Sequence, residues 1–373
     1  MKTKRKFGWC IPLLICALLI GFAACDPEEN NGGGDDDGDS SELPSSSGTN
    51  EFLGKTLYLD YGTKAEFANS GTTFTGYDYD FSGEVWKKNS EGSYSYNSGN
   101  KTISIVIDSM FIGGTKYNKT QYADAMMAEW DASLADIRAN FDAYLRGMLF
   151  YDFSEELYDE ISSAYSDIYG DDFDYDTWSE FLLFWVEEYY ATEFTAYINA
   201  YKSENGITDA DSFILAELRR IGANFNSISE YRAAVRNQYL DAFNTRTYEY
   251  QLTADNQILV QEKLPSNRGT DELKGKTFVY DDYDDYKITF SADGTFSASI
   301  DSVVTETGKY AYDSTAKKVW LQPTTRSGAT ISQYYTDSYG GTPSNKAADA
   351  NSTFRIAVYS YSLTPNKISD SYF

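Results

Sequence analysis

The internal repeat constrains this chain more than any other feature. Gly92 to Ile105 aligns without a gap on Gly308 to Leu321, and both read G-x-Y-x-Y-[ND]-S-x-x-K-x-[IV]-x-[IL]. Upstream, Gly54-Lys55-Thr56 matches Gly275-Lys276-Thr277, and the run from Phe67 to Thr72 matches that from Phe290 to Thr295. Downstream, Tyr248 to Thr253 matches Tyr359 to Thr364 as Y-x-Y-x-L-T. Matched blocks in one order define two copies of one structural unit, so a fold that suits only one copy is excluded.

Each block reads as a strand or a hairpin. Tyr310 and Tyr312 alternate, as do Val319 and Leu321, and that period of two places each pair on one face of a sheet. Asn97 to Asn100 and Asp313 to Ala316 are turn-rich joins, and Ser291-Ala292-Asp293-Gly294 is a further hairpin turn. Each copy offers six to eight short antiparallel strands, which suits a small closed barrel without exposed edges.

The copies differ in one connection. Ile105 and Tyr248 are 143 positions apart, whereas Leu321 and Tyr359 are only 38 apart. The extra residues read as helical. Met127, Trp130, Leu134, Ile137, Phe141, Tyr144 and Met148 recur at alternating spacings of three and four, an amphipathic stripe best explained by packing between helices. Ser154 predicts a second helix start. Thr177-Trp178-Ser179-Glu180 predicts a capping box before a long helix that runs through Tyr201 to Asn205-Gly206. Thr208 to Asp211 and Ser227 to Glu230 predict two more starts. Phe181 to Val186 is apolar all round and is expected to be the most buried turn; Glu187 and Glu188 make it far too short for a membrane span.

The N-terminus reads as a signal peptide. Lys2, Lys4, Arg5 and Lys6 precede an uncharged stretch from Phe7 to Ala24, and small residues then stand directly before Cys25. Phe22-Ala23-Ala24-Cys25 resembles the lipobox of bacterial lipoproteins, with Phe22 in place of the usual Leu. The resemblance implies that Cys25 becomes the lipidated first residue of the mature chain. Cys10 and Cys16 would be removed, leaving neither a disulfide nor a free thiol. Residues 26–50 hold eight acids, no base and almost nothing apolar, so they are expected to form a disordered tether. Glu28 and Glu29 resemble the acidic export signal of surface-exposed lipoproteins. The expected location is therefore the outer membrane, lipid-anchored, on the cell surface or the periplasmic face.

Composition excludes several chemistries. The chain has 373 residues, no histidine and a formal charge of −26, so it lacks both an imidazole base and the basic footprint that nucleic acid requires. No phosphate loop, dinucleotide fingerprint, nucleophile elbow or zinc motif occurs, and no cofactor or metal is expected. The acidic runs Asp35–Asp39, Asp171–Asp176 and Asp281–Asp285 read as solvated loops or turns.

The order G-K-T, F-x-x-x-G-T, G-x-Y-x-Y, apolar strand, Y-x-Y-x-L-T resembles the bacterial lipocalin-like domains of secreted lipoproteins. That resemblance implies small meander barrels and no catalytic residue. The expected fold is α+β, with two small antiparallel lipocalin-like β-barrels or meanders, the first interrupted by a bundle of about five helices. The expected division is a signal peptide over 1–24, a lipidated Cys25 and tether over 25–50, and a first β domain over 51–111 plus 246–265. An inserted bundle occupies 112–245, and a second β domain occupies 273–373. The expected function is a non-catalytic binding or interaction module for a small apolar, sugar or protein ligand. A carbohydrate-active enzyme with paired carboxylates and a structural or host-interaction surface protein are the alternatives. Tyr94, Tyr96, Tyr310 and Tyr312 are the candidate ligand-binding residues, because barrel-facing tyrosines offer a ring to stack on and a hydroxyl to bond.

Overall fold

The computed structural model describes residues 43–169, 175–220, 223, 225–280, 283–338 and 341–370. They contain fifteen strands and nine helices, a mixed α+β architecture. Signal peptide, Cys25 and most of the acidic tether lie outside these residues. No described helix is long and apolar enough to cross a membrane.

The first copy contributes β1 (Thr56–Tyr58), β2 (Thr63–Phe67), β3 (Thr73–Asp80), β4 (Val85–Asn97), β5 (Thr102–Ile112), β6 (Thr115–Tyr117), β7 (Arg246–Leu252) and β8 (Ile258–Glu262). They pair in the order β1-β2-β3-β4-β5-β7-β8, with β6 on β5, and β1 and β8 form no ladder. The second copy contributes β9 (Thr277–Tyr280), β10 (Tyr283–Phe290), β11 (Thr295–Ile300), β12 (Val303–Asp313), β13 (Lys318–Arg326), β14 (Ala357–Leu363) and β15 (Asn366–Asp370). These close into a barrel, sealed where β15 runs parallel to β9 through Lys367↔Val279 and Ile368↔Tyr280.

The repeat extends to irregularities. A bulge follows Gly76 where β3 meets β4, and another follows Ala298 where β11 meets β12. A second pair lies between Glu91 and Gly92 and between Thr307 and Gly308. Both glycines are required by close approach. A Cβ on Gly92 would stand 2.2 Å from the Val106 carbonyl and 2.5 Å from the Phe74 ring, and one on Gly308 2.1 Å from the Gln322 carbonyl and 2.6 Å from Phe296. Aromatic and aliphatic side chains meet inside each copy. Phe52, Leu57, Tyr94, Ile103, Tyr250 and Ile258 pack in the first, and Leu273, Phe278, Ile288, Phe290 and Val319 in the second.

The helical interruption is present, and among the described residues it comprises α1 (Lys119–Ala139), α2 (Phe141–Glu156), α3 (Tyr158–Tyr169), α4 (Tyr175–Tyr189), α5 (Ala191–Glu204), α6 (Ala210–Arg220) and α7 (Ile228–Asp241), where about five were expected. Two expected long helices are each divided by one residue outside α geometry, Asn140 at φ −117, ψ 22 and Tyr190 at φ −124, ψ 19. Two expected starts lie inside helices instead. Ser154 is buried in α2, and α4 has begun by Tyr175, before the expected capping box at Thr177. The later starts hold: Asp209 Oδ1 accepts from Ser212 N, and Ser227 Oγ accepts from Glu230 N.

Residues 124–238 form a compact unit of their own, and both β copies together form another. The helical core gathers Leu145, Leu149, Phe153, Ile161, Tyr165, Val186 and Phe194. Phe181, Leu182 and Val186 are buried, but Leu183 and Phe184 are exposed, so the apolar run of α4 is not enclosed on every side.

The second copy also has helices in the corresponding connection, which sequence reading missed. A hairpin of α8 (Ile331–Asp337) and α9 (Pro343–Thr353) joins β13 to β14. Thr330 closes a capping box with Gln333 at the start of α8, and Thr342 caps α9 with Pro343 in its first turn. The hairpin packs Ile331, Tyr335, Ala347, Ala350 and Phe354 over Leu259 of β8. Asn351 of α9 then fills the open seam of the first copy. Its Nδ2 donates to Tyr58 O of β1 at 2.6 Å and to Ile258 O of β8 at 3.1 Å, while its Oδ1 accepts from Val260 N at 2.8 Å. One side chain thus satisfies backbone groups that the β9–β15 ladder satisfies in the other copy. Beside it, Gln322 Nε2 donates to Glu262 O and Gln261 Nε2 to Pro323 O, which ties β8 to β13.

Candidate binding site at the mouth of the second barrel

The two ends of each β copy differ in chemistry. One end is sealed by the segment leading into the first strand. Ser98 Oγ accepts from Thr49 N and Ser314 Oγ from Thr270 N, both at 3.1 Å. Tyr250 donates to Glu51 at 2.5 Å, and Tyr361 donates to Glu272 at 3.0 Å. Lys101 pairs with Glu51, and Lys317 with Glu272. The lysine bond, reinforced by the tyrosine hydroxyl, holds each carboxyl below its ordinary range. Burial, then donation to the carboxylate, pushes both phenols up. Residues 47–50, expected in the tether, belong to this seal: Ser47 bridges Asn97, and Asn50 Nδ2 donates to the Tyr94 hydroxyl.

The expected ligand-binding tyrosines stand at this sealed end. Tyr310 donates to Asp271 at 2.8 Å, as the counterpart of Tyr94 bonding Asn50. Tyr96 and Tyr312 are half-buried beside them, with ring centroids 6.4 Å from Tyr94 and Tyr310. The structure brings together Tyr94 with Tyr96 and Tyr310 with Tyr312, each within its own core.

The opposite end of the closed barrel carries a different set, on inward positions fixed by strand alternation. Tyr280, Tyr286 and Tyr359 pack against the core while half-exposed, with Tyr280 5.7 Å from Tyr286 and 6.2 Å from Tyr359. The exposed Tyr283 stacks on Tyr280 at 6.0 Å and 21°. Glu306 of β12 lies opposite Arg326 of β13, and the two form an ion pair at 2.9 Å. Burial pushes the Glu306 carboxyl up despite the opposing pull of Arg326, and burial pushes the Tyr286 phenol up, helped by nearby Tyr359 and Glu306. The Arg326 Nε is buried without a hydrogen-bond partner. Ile300, Val303 and Val304 rim the end as exposed apolar side chains. The mouth therefore combines an apolar rim with a polar throat.

The strand registers give the first copy's equivalents as Leu59 for Tyr280, Thr63 for Tyr286, Ser90 for Glu306, Met110 for Arg326 and Tyr248 for Tyr359. Four of these five positions differ in chemical class, whereas the sealed ends match almost residue for residue. Nothing in a repeat alignment marks Glu306 and Arg326, because the copies diverge there. The sealing residues do have a signal, G-T-[ND]-E-[FL] at Gly48–Phe52 and Gly269–Leu273, which sequence reading passed over.

Elsewhere, a cavity of about 200 Å³ lies where α8 meets β7 and β8, lined by Lys101, Glu249, Gln251, Leu259, Gln261 and Ile331. Among the described residues no three His, Cys, Asp or Glu side chains are placed to hold a metal. Of the expected acidic clusters, Asp171, Asp172, Asp174, Asp281 and Asp282 lie outside the described residues, and Asp285 is exposed on β10. No protein-family model, curated protein or solved structure matches the chain.

Proposed function

We propose that this protein is a lipid-anchored envelope protein of lipocalin-like β units, and that its second barrel binds a small ligand at its mouth without catalysing a reaction. One observation carries the reading. The two copies share bulges, glycines, sealing carboxylates and core aromatics, yet at the mouth the second copy replaces Leu59, Thr63, Ser90 and Met110 with Tyr280, Tyr286, Glu306 and Arg326. Scaffold needs alone would hold both mouths alike. Polar groups set half-buried at a barrel end lose hydration, and an incoming ligand with matching groups recovers it. The anchor reading rests on the lipobox resemblance at Cys25. Saturation binding of anilinonaphthalene sulfonate, an aromatic amphiphile, tests the mouth. Wild type is expected to show one saturable site, weakened at least tenfold in Tyr286→Ala and in Arg326→Leu. Equal binding by both variants refutes the assignment.

A further inference from the structure

A second surface, independent of the mouth, stands on the first copy. The cross-strand pairs Asp78↔Lys87 and Ile300↔Val303 occupy equivalent places in the two copies. Between the second pair lie only Asp301 and Ser302, both at positive φ, the tight two-residue turn that suits a hairpin. Between the first pair lie eight residues, 79–86, including Tyr79, Phe81, Val85 and Trp86. Half of this longer connection is thus aromatic or aliphatic.

Tyr79 and Trp86 are half-buried, and the other two stand in solvent. Phe81 is 72% exposed and Val85 48%. Tyr79 and Trp86 pair across the strands on the outer face, with ring centroids 5.1 Å apart, and Phe81 meets Tyr79 edge-on at 5.0 Å. The turn holding them is fixed. Asp80 takes Lys87 Nζ at 2.6 Å and accepts from Ser82 N and Oγ and from Gly83 N; those bonds, Lys87's foremost, hold its carboxyl far below the ordinary range. Lys64 lies over the rings of both Tyr77 and Trp86, at 5.0 and 4.7 Å. A turn pinned in this way holds the exposed Phe81 and Val85 in solvent beside the half-buried rings of Tyr79 and Trp86, and such a patch marks a binding surface.

The surroundings select the ligand. Every lysine beside the rings has a carboxylate partner: Lys64 with Glu66, Lys87 with Asp80, Lys88 and Lys116 with Glu91. The patch offers flat apolar faces beside many donors and acceptors, and its lysines are all paired; the exposed Glu84 of the turn adds one carboxylate, which disfavours an anionic ligand and leaves no free cation to attract one. Four apolar side chains fall well short of the roughly 800 Å² per partner that a stable protein interface buries. A pyranose ring fits this chemistry, since its axial C–H face is apolar and its rim carries hydroxyls. We infer that the Tyr79–Phe81–Trp86 hairpin is a binding platform for neutral glycans.

The test is retardation of the full mature chain in native gels containing xylan, glucomannan, laminarin or dextran, followed by calorimetry with a matching hexasaccharide. At least one neutral polysaccharide is expected to retard the protein. Phe81→Ala, which alters a side chain largely in solvent, is expected to weaken binding at least threefold, and Trp86→Ala at least tenfold, with unchanged melting of Phe81→Ala. Tyr286→Ala at the barrel mouth is expected to bind glycan as wild type does, so the two sites fail or stand separately. Absence of retardation by every polysaccharide overturns the proposal. So does equal binding by both hairpin variants, or binding to phosphatidylcholine vesicles that depends on Phe81 while glycans do not bind.

Discussion

Replacing Asn351 tests whether one side chain closes the first copy. Asn351 is almost wholly buried, and its amide serves Val260 N–H, Tyr58 C=O and Ile258 C=O. Leucine has similar volume but neither donates nor accepts, so Asn351→Leu leaves three backbone groups without their partner. A buried group orphaned in this way costs about 1–3 kcal/mol. The Tyr58 bond is only partly buried, so water relieves some of its loss, and the sum falls at about 3–5 kcal/mol. Asn351→Asp keeps an acceptor for Val260 N–H but turns carboxylate oxygen toward two carbonyls, and is expected to lose at least as much at neutral pH. Ser352→Ala, which removes only a bond to Asp349 O within α9, is the control and is expected to cost under about 1 kcal/mol. Urea unfolding followed by circular dichroism gives the global loss. Amide exchange locates it: Val260 N–H is expected to exchange faster in Asn351→Leu, while core amides of β12 change only with global stability. Asn351→Leu within about 0.5 kcal/mol of wild type, with Val260 exchange unchanged, would refute the seam argument.

Other outcomes follow from the same structure. Gly92→Ala and Gly308→Ala each drive a methyl group into a carbonyl and a phenylalanine ring, so each is expected to cost about 1–3 kcal/mol or more by thermal unfolding, with no neutral outcome at either position. Glu51 titrates below its ordinary range in the folded chain, so its contribution is present above the unfolded carboxylate pKa and is lost as pH falls through that range toward the folded value. Glu51→Gln is therefore expected to flatten the acid side of a stability–pH profile, and an unchanged profile would refute this. Replacing 112–245 with a Gly/Ser linker is expected to remove the helical dichroism and keep a cooperative β-type melt. Ile105 pairs with Arg246, so β5 overshoots that pair by about six residues, or about 20 Å, and the linker needs at least about ten residues to return. Cys25→Ala is expected to move the protein from the membrane to the soluble fraction, and unchanged fractionation would refute the lipobox reading.

The repeat made the β architecture legible because strand pairing here follows period-two patterns and turn residues that recur in both copies. Gly294, expected at a hairpin turn, takes positive φ, and Tyr310 and Tyr312 share an inward face. The helices were harder to divide. The apolar stripe of α1 continues in register into α2, so nothing in its spacing announces Asn140 as a break. Leu183 and Phe184 look like core because periodicity measures hydrophobicity and not the presence of a neighbour. Asn351 reads as an ordinary polar residue on a short helix, since its role depends on strands about 90 and 290 residues away. The mouth was illegible for the opposite reason to the seal: Glu306 and Arg326 occur in one copy alone, and repetition was the strongest signal available.

The borrowed seam also sets an order in time. Synthesis at about 5–20 residues per second makes Asn351 roughly 15–60 s after Tyr58, since 293 residues separate them. The later copy carries every strand of its own closure and can finish alone. The earlier copy cannot, because β1 and β8 keep unpaired edges until α9 arrives, and such edges are templates for pairing with another chain. Duplication has thus left two unequal products, a self-sufficient barrel and one that matures only with its sibling. A chain cut off before Asn351 would hold every strand of the first copy and still expose an adhesive edge. Messages or proteases that shorten this protein from its C-terminus would therefore yield aggregates rather than a smaller working barrel.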